Sequence, residues 1–209
     1  MNVILKLKRP FIWLQRFRYR CGYGVHSPFA FNFITSVIYD KKSYAAYKDL
    51  LLKEKEMSHN MGRGLMRESI KVNRLLFRLV NFAQPNTIID AGTFSYSSLY
   101  LHASEASTSY NAFSDLSELS LKKDFSIDFL YLHNYNNPSF VEEAFDICAD
   151  RAHSQSLFVV QGIRYSAKMQ SIWKKIQADE RTGISFDLYD LGILFFDKKK
   201  IKQHYLINF

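Results

Sequence analysis

The first twenty residues of this 209-residue chain contain no aspartate or glutamate. They hold Lys6, Lys8, Arg9, Arg16, Arg18 and Arg20, and setting these aside from the 28 lysines and arginines leaves 22 cations against 20 acids. The net charge of +8 is therefore a property of the N-terminal arm. The chain also lacks any apolar run approaching the ~18 residues that cross a bilayer as a helix. Lys6, Lys8 and Arg9 interrupt the apolar N-terminal stretch and make it a poor secretory signal, so a cytoplasmic location is expected. Cysteine is scarce. Cys21 and Cys148 match no zinc or redox spacing, which excludes a disulfide scaffold and leaves two reduced core thiols as the expectation. There are no internal repeats and no low-complexity tracts.

What the chain does have is a well-stocked core, with 47% hydrophobic and 16% aromatic residues. That suits one domain with a decorated terminus. The arm interleaves its cations with Val3, Ile4, Leu5, Leu7, Phe11, Ile12, Trp13, Leu14 and Phe17, and Pro10 suits the first turn of a helix starting there. Three readings of residues 1–20 stay open. One is an amphipathic helix lying on the protein's own body. A second is a helix on an anionic membrane surface, where Trp and Phe beside Arg are favoured. The third is a nucleic-acid contact through Phe17, Arg18, Tyr19 and Arg20.

Gly22, Gly24 and Pro28 enforce a loop, after which apolar spacing predicts helices over 29–37 and 44–52. The polar stretch 53–64 contains two glycines and reads as a linker or a mobile loop. A helix over 67–82 sets Val72, Leu75, Leu76, Leu79 and Val80 on one face. Its row of Arg67, Lys71, Arg74 and Arg78 reads as a solvated face. Strands at 87–90, 110–114, 127–132 and 156–160 alternate with helices at 97–103, 116–123, 140–151 and 167–177, the last with Trp173 facing inward. Two final strands, 185–196 and 204–209, flank a turn at 197–200.

The chemistry begins at Thr87-Ile88-Ile89-Asp90-Ala91-Gly92-Thr93-Phe94-Ser95-Tyr96. A buried strand ends in an acid, Gly92 follows two positions later, and a helix starts. A nucleotide-type cofactor site opens in this way in a doubly wound α/β domain: glycine brings the backbone close to the ligand, and the acid takes a ribose hydroxyl. The later glycines of such a loop are missing here.

With Gly22-Tyr23-Gly24-Val25-His26-Ser27-Pro28-Phe29 near the start, Lys71-Val72-Asn73-Arg74 before the first strand, and Asp187-Leu188-Tyr189-Asp190-Leu191-Gly192 near the end, the chain resembles class I S-adenosylmethionine-dependent methyltransferases. The likeness is to a small branch seen in Bacteroidetes and covers nearly the whole length. It implies an α/β fold: a Rossmann-like methyltransferase sheet with an antiparallel C-terminal hairpin, behind an N-terminal helical extension. The division expected is 1–64 for the extension and linker, and 65–209 for the Rossmann-like domain. A standard member places a helix, a strand, a second helix, another strand and a third helix between the positions of Asp90 and Ile127. That takes about 60 residues at roughly 30 per βα unit, so the sheet is expected to be shortened between its first and fourth strands.

The resemblance also implies the site. S-adenosylmethionine is the cofactor, and the residues expected around it are Asp90, Gly92, Thr93, Ser95, Asp115 and His133. Tyr96 falls where the family has its second glycine, and a side chain there crowds the methionine moiety. Asp115 is either the acid that grips the ribose or the N-cap of a helix. His133 stands where the family has an acid, and reads as a hydrogen-bonded loop residue or, less simply, a base. Gln161, Gly162 and Arg164 replace two acids and a histidine, so no metal is expected. His26 and Ser27 read as fixing the extension to the core or, alternatively, as a contact with substrate. Three functions stay open. One is a degenerate homologue that binds a small molecule or protein, or serves as a scaffold, without catalysis. Another is an active metal-independent methyltransferase of an unknown small molecule, with Asp90, Gly92 and Asp115 holding the cofactor. The last is nucleic-acid or anionic-membrane binding through residues 1–20. A homo-oligomer fits any of them.

Overall fold

The computed structural model describes residues 3–61, 68–103, 109–121 and 126–209. Helix α1 (Val3–Gln15) is followed by a single 3₁₀ turn (Phe17–Tyr19), then by α2 (Pro28–Phe33), which runs on into a π-helical turn (Ile34–Ile38). Pro28 stands in the first turn of α2, and the Ser27 hydroxyl accepts from the Ala30 amide, so Ser27 fixes this helix as its N-cap while His26 stays exposed. Helices α3 (Ala46–Met61) and α4 (Ile70–Ala83) come next.

The sheet then alternates with helices in the order β1 (Thr87–Ala91), α5 (Ser97–His102), β2 (Ser109–Phe113), α6 (Leu116–Leu121), β3 (Ile127–Leu132), α7 (Pro138–Ala149), β4 (Ala152–Gln161) and α8 (Ala167–Ala178). Strands β5 (Ile184–Asp187), β6 (Leu191–Phe195) and β7 (Gln203–Leu206) complete it. The seven strands lie in the order β2-β1-β3-β4-β6-β5-β7. The first four are parallel, and β6 runs antiparallel to both β4 and β5. Among the described residues no strand lies outside β2, so the sheet is shortened on the side where the length argument required it.

Alternation along the buried strands makes two cores. Ile88, Phe129, Tyr131, Leu157 and Val159 face α2, the π-helical turn and α4, meeting Phe33, Ile34, Leu75, Leu76 and Leu79. Ile89, Ala91, Leu130, Leu132, Phe158 and Val160 face α7 and α8, meeting Phe145, Met169, Ile172 and Trp173. Helices lie on both faces, and the C-terminal ends of β1, β3 and β4 come together at one end of the sheet.

Several expectations are corrected. The helix expected to start at Pro10 begins at Val3 and carries Pro10 inside it. The expected linker is helical through Met61; Lys53 to Met57 are good helix formers with no glycine or proline among them, and polarity there marks a solvated helix face. Glu54 on that helix is buried and accepts from the Tyr100 hydroxyl at 3.1 Å. The remainder, 62–64, lies outside the described residues, as does Arg67.

The basic row of α4 is not all solvated. Arg78 is buried, and its guanidinium donates to the Val37 carbonyl (2.7 Å) and the Ile38 carbonyl (3.1 Å), satisfying the end of the π-helical turn. Cys148 is a core thiol that burial pushes up to about 12, but Cys21 is exposed, in a turn at φ 53°.

The run 185–196 is two strands. The Tyr189 amide donates to the Asp187 carboxylate (2.9 Å), and Tyr189 adopts φ 75°, which turns the chain back between β5 and β6. The antiparallel hairpin is therefore β5–β6, and β7 adds parallel to the outer side of β5. Gly192 is essential to that hairpin's packing, because a β-carbon there would overlap the Trp173 ring. Gly192→Ala is expected to cost about 1–3 kcal/mol through overpacking, measured as a lower urea midpoint. An unchanged midpoint would mean that the indole moves aside freely.

Candidate functional site

The site is built by strand register. Asp90 on β1 is opposite Ala112 on β2 and Tyr131 on β3. Side chains two apart on a strand share a face, so Asp90, Tyr110, Tyr131 and His133 gather on one side of the sheet. The His133 amide donates to the Ala91 carbonyl (3.1 Å), which places its ring directly beyond the end of β1. His133 Nε2 lies 2.7 Å from Asp90 Oδ1. The Tyr110 hydroxyl donates to Asp90 Oδ2. Asp90 Oδ2 is thus hydrogen-bonded from within the protein, Oδ1 lies against the imidazole with no hydrogen bond among the described residues, and Asp90 and His133 are both buried.

Gly92 completes the arrangement. A β-carbon on it would stand 2.7 Å from His133 Nε2, so the close approach that glycine permits here is used by the imidazole. The His133 ring stacks on Tyr131 with centroids 4.7 Å apart and planes 12° from parallel. Burial pushes the phenols of Tyr110 and Tyr131 up, and the Asp90 carboxylate adds to this at Tyr110. Both therefore remain neutral hydroxyls at neutral pH.

The other expected residues lie differently. Thr93 is exposed, with Phe94 beside it. Ser95 is buried, and its carbonyl accepts from the Ser98 hydroxyl (2.9 Å) at the start of α5. Tyr96 is buried, and the group seated on Gly92 is His133. Asp115 is exposed and accepts from the Ser117 amide (2.8 Å) and hydroxyl (3.0 Å), which hold its carboxyl below the usual range. It caps α6 through Ser117.

Sequence reasoning missed four contributors. Tyr110 lies twenty residues from Asp90, and only the parallel register brings it alongside. Glu68 is half-buried and accepts from Gln161 Nε2 at 3.0 Å; burial pushes its carboxyl up, His133 pulls it back, and Asp190 pushes it further. Tyr135 and Tyr165 meet edge to face at 4.9 Å above β4, with Tyr135 packed against Gly162, a left-handed residue at φ 72°.

Arg164, standing where the family has histidine, turns away to the Asp187 carboxylate (2.5 Å). Among the described residues no three or more of His, Cys, Asp and Glu come together as a metal-binding group.

Neither a protein-family model nor a curated protein sequence matches this chain. Solved structures do. An O-methyltransferase from Bacillus cereus, in complex with SAH, superposes with a TM-score of 0.52 at 14% identity, covering 74% of this chain and 92% of the other. The O-methyltransferase TomG of Streptomyces achromogenes, which is involved in tomaymycin synthesis and was solved with SAM, gives 0.53 at 14% identity, covering 74% and 91%. A methyltransferase from Geobacter sulfurreducens gives 0.51 at 11% identity, covering 78% and 95%. Identities this low establish architecture alone: the chain has the Rossmann-like α/β fold of class I SAM-dependent O-methyltransferases.

Proposed function

We propose that this chain keeps the methyltransferase fold but has closed the crevice at the end of β1, and acts as a non-catalytic binding or scaffold protein. The observation that carries this reading is the His133 imidazole seated on Gly92, with Nε2 2.7 Å from Asp90 Oδ1. A sulfonium nucleoside held in the family's manner needs the space over that glycine and a free carboxylate beside it. Here the ring fills the space, and Asp90 is engaged by His133 and Tyr110.

A second reading has one observation in its favour. Asp115 lies just past β2 as an exposed carboxylate held below the usual range, so it is charged and accessible to a ribose. In that reading His133 swings away, and Asp90, Gly92 and Asp115 hold S-adenosylmethionine for transfer to a small nucleophile by proximity alone.

Calorimetric titration separates the two. With S-adenosylmethionine and S-adenosylhomocysteine in turn, the intact protein is expected to give no binding isotherm and no thermal shift up to roughly millimolar ligand, a range that corresponds to about −4 kcal/mol. A micromolar dissociation constant for either ligand would overturn the scaffold reading in favour of the second.

A further inference from the structure

From Arg9 onward, helix α1 is mounted with its charged side toward the protein and its apolar side toward solvent. Its inward face is Arg9, Ile12 and Arg16, at helical spacing. Arg16 is buried and donates to the Asp187 carboxylate (2.9 Å), the Asp187 carbonyl (3.1 Å) and the Ile207 carbonyl (3.2 Å). Arg9 pairs with Asp190 at 2.6 Å, and Asn208 Nδ2 donates to the Trp13 carbonyl at 3.1 Å. The outward face carries Phe11, 70% exposed, and Leu14, 68% exposed. Phe17 at 51% and Trp13 at 47% continue it into the 3₁₀ turn. A helix that packed on its own domain through the hydrophobic effect would place these residues inward.

Cations accompany this apolar face. The Arg20 guanidinium lies 5.5 Å from the Trp13 ring and 5.3 Å from the Phe17 ring, and those two rings meet edge to face at 5.2 Å. Arg18 and Arg20 are exposed, and the sequence holds no acid before Asp40. The patch therefore combines aromatic rings, aliphatic side chains and exposed positive charge on a helix that is already folded and fixed.

We propose that this face docks on an anionic lipid bilayer, with α1 lying in the plane of the interface. Phe11, Trp13, Leu14 and Phe17 enter the boundary between headgroups and acyl chains, and Arg18 and Arg20 lie at the level of the lipid phosphates. The chemistry matches that of interfacial helices, in which Trp, Phe and Leu are flanked by basic side chains. The clamp by Arg9 and Arg16 means that binding does not have to order the helix. A second copy of the chain is a poor occupant, because a twofold contact would set one acid-free cationic arm against another. Nucleic acid would neutralise the arginines but would leave Phe11 and Leu14, the two most exposed of the four, without an apolar surface to bury them.

The test is co-sedimentation of the full chain with vesicles of equimolar phosphatidylglycerol and phosphatidylcholine, against phosphatidylcholine alone, at low and at roughly 0.5 M salt. Binding to the anionic vesicles is expected, weakened at the higher salt and about tenfold or more weaker without phosphatidylglycerol. The triple variant Phe11→Ser/Leu14→Ser/Phe17→Ser and the double variant Arg18→Glu/Arg20→Glu should each lose about tenfold or more in affinity. Their thermal midpoints should be unchanged, since these side chains are exposed. Tryptophan emission should shift to the blue on binding; Trp173 is buried, so Trp13 is the reporter. Four outcomes would each overturn the proposal. They are no binding to anionic vesicles at low salt, undiminished binding by both variants, retention by a single-stranded RNA oligonucleotide in place of vesicles, and a dimer in solution that the triple variant abolishes. None bears on the crevice over Gly92, so the proposal stands or falls apart from the cofactor reading.

Discussion

Asp187→Ala is expected to destabilise the protein by about 3–5 kcal/mol, measured by urea unfolding. Asp187 is 1% exposed at the end of β5, and it is the single acid between two arginines. Arg16 approaches one carboxylate oxygen at 2.9 Å, and Arg164 approaches the other at 2.5 Å through Nη2 and 3.2 Å through Nε. The same carboxylate accepts the Tyr189 amide that turns the chain into β6. Removing it strands the buried Arg16 guanidinium without a counter-charge and frees the turn. The Arg9–Asp190 pair has the same two residue types at the same end of the sheet. Arg9 is 42% exposed there, so Arg9→Ala should cost only about 0–1 kcal/mol. The burial of Arg16 makes the difference. If the two substitutions cost the same, the clamp is not what holds α1 to the C-terminal strands.

Phe33→Ala should cost about 3–5 kcal/mol as well, for a different reason. Phe33 on α2 is 1% exposed and meets four other phenylalanines: Phe29, Phe82, Phe186 and Phe195. Its ring centroid lies 4.9 Å from Phe186 and 5.0 Å from Phe195, so one side chain of the N-terminal helices sits on β5 and β6. Truncation leaves a cavity that these rings cannot collapse to fill. The loss should appear in a single cooperative transition, because α2 and the sheet share one core. Two separate transitions, or a loss below about 1 kcal/mol, would show instead that the extension is an independent unit.

Much of this architecture was legible in the residues. The apolar runs at β1, β3 and β4 are continuous because both faces of these strands are covered by helices, and such runs announce buried parallel strands. The spacing of Val72, Leu75, Leu76 and Leu79 announces α4, whose face packs where expected. Errors arose where a local signal was overruled by distant partners. Arg78 belongs to a basic row by spacing, yet carbonyls forty residues earlier draw it inside. In the run 185–196 the reversal is local: the Asp187 carboxylate accepts the Tyr189 amide, and the apolar residues on either side hid that turn signal. At the candidate site, the sequence supplied Asp90, Gly92 and His133 separately. Their contact depends on β1 and β3 being neighbours, and the hydroxyl of Tyr110 arrives from the other side of β1.

By itself the sequence determined the alternation of strands and helices and the cationic arm, which follow from periodicity and charge set along the chain. The fold class and the shortened edge followed from the family resemblance together with chain length. Only the tertiary structure decided what covers Gly92 and which way α1 faces. Both depend on pairings between residues far apart in sequence: His133 with Asp90 in one case, Arg16 with Asp187 in the other. A buried carboxylate draws whichever donor the sheet order sets beside it.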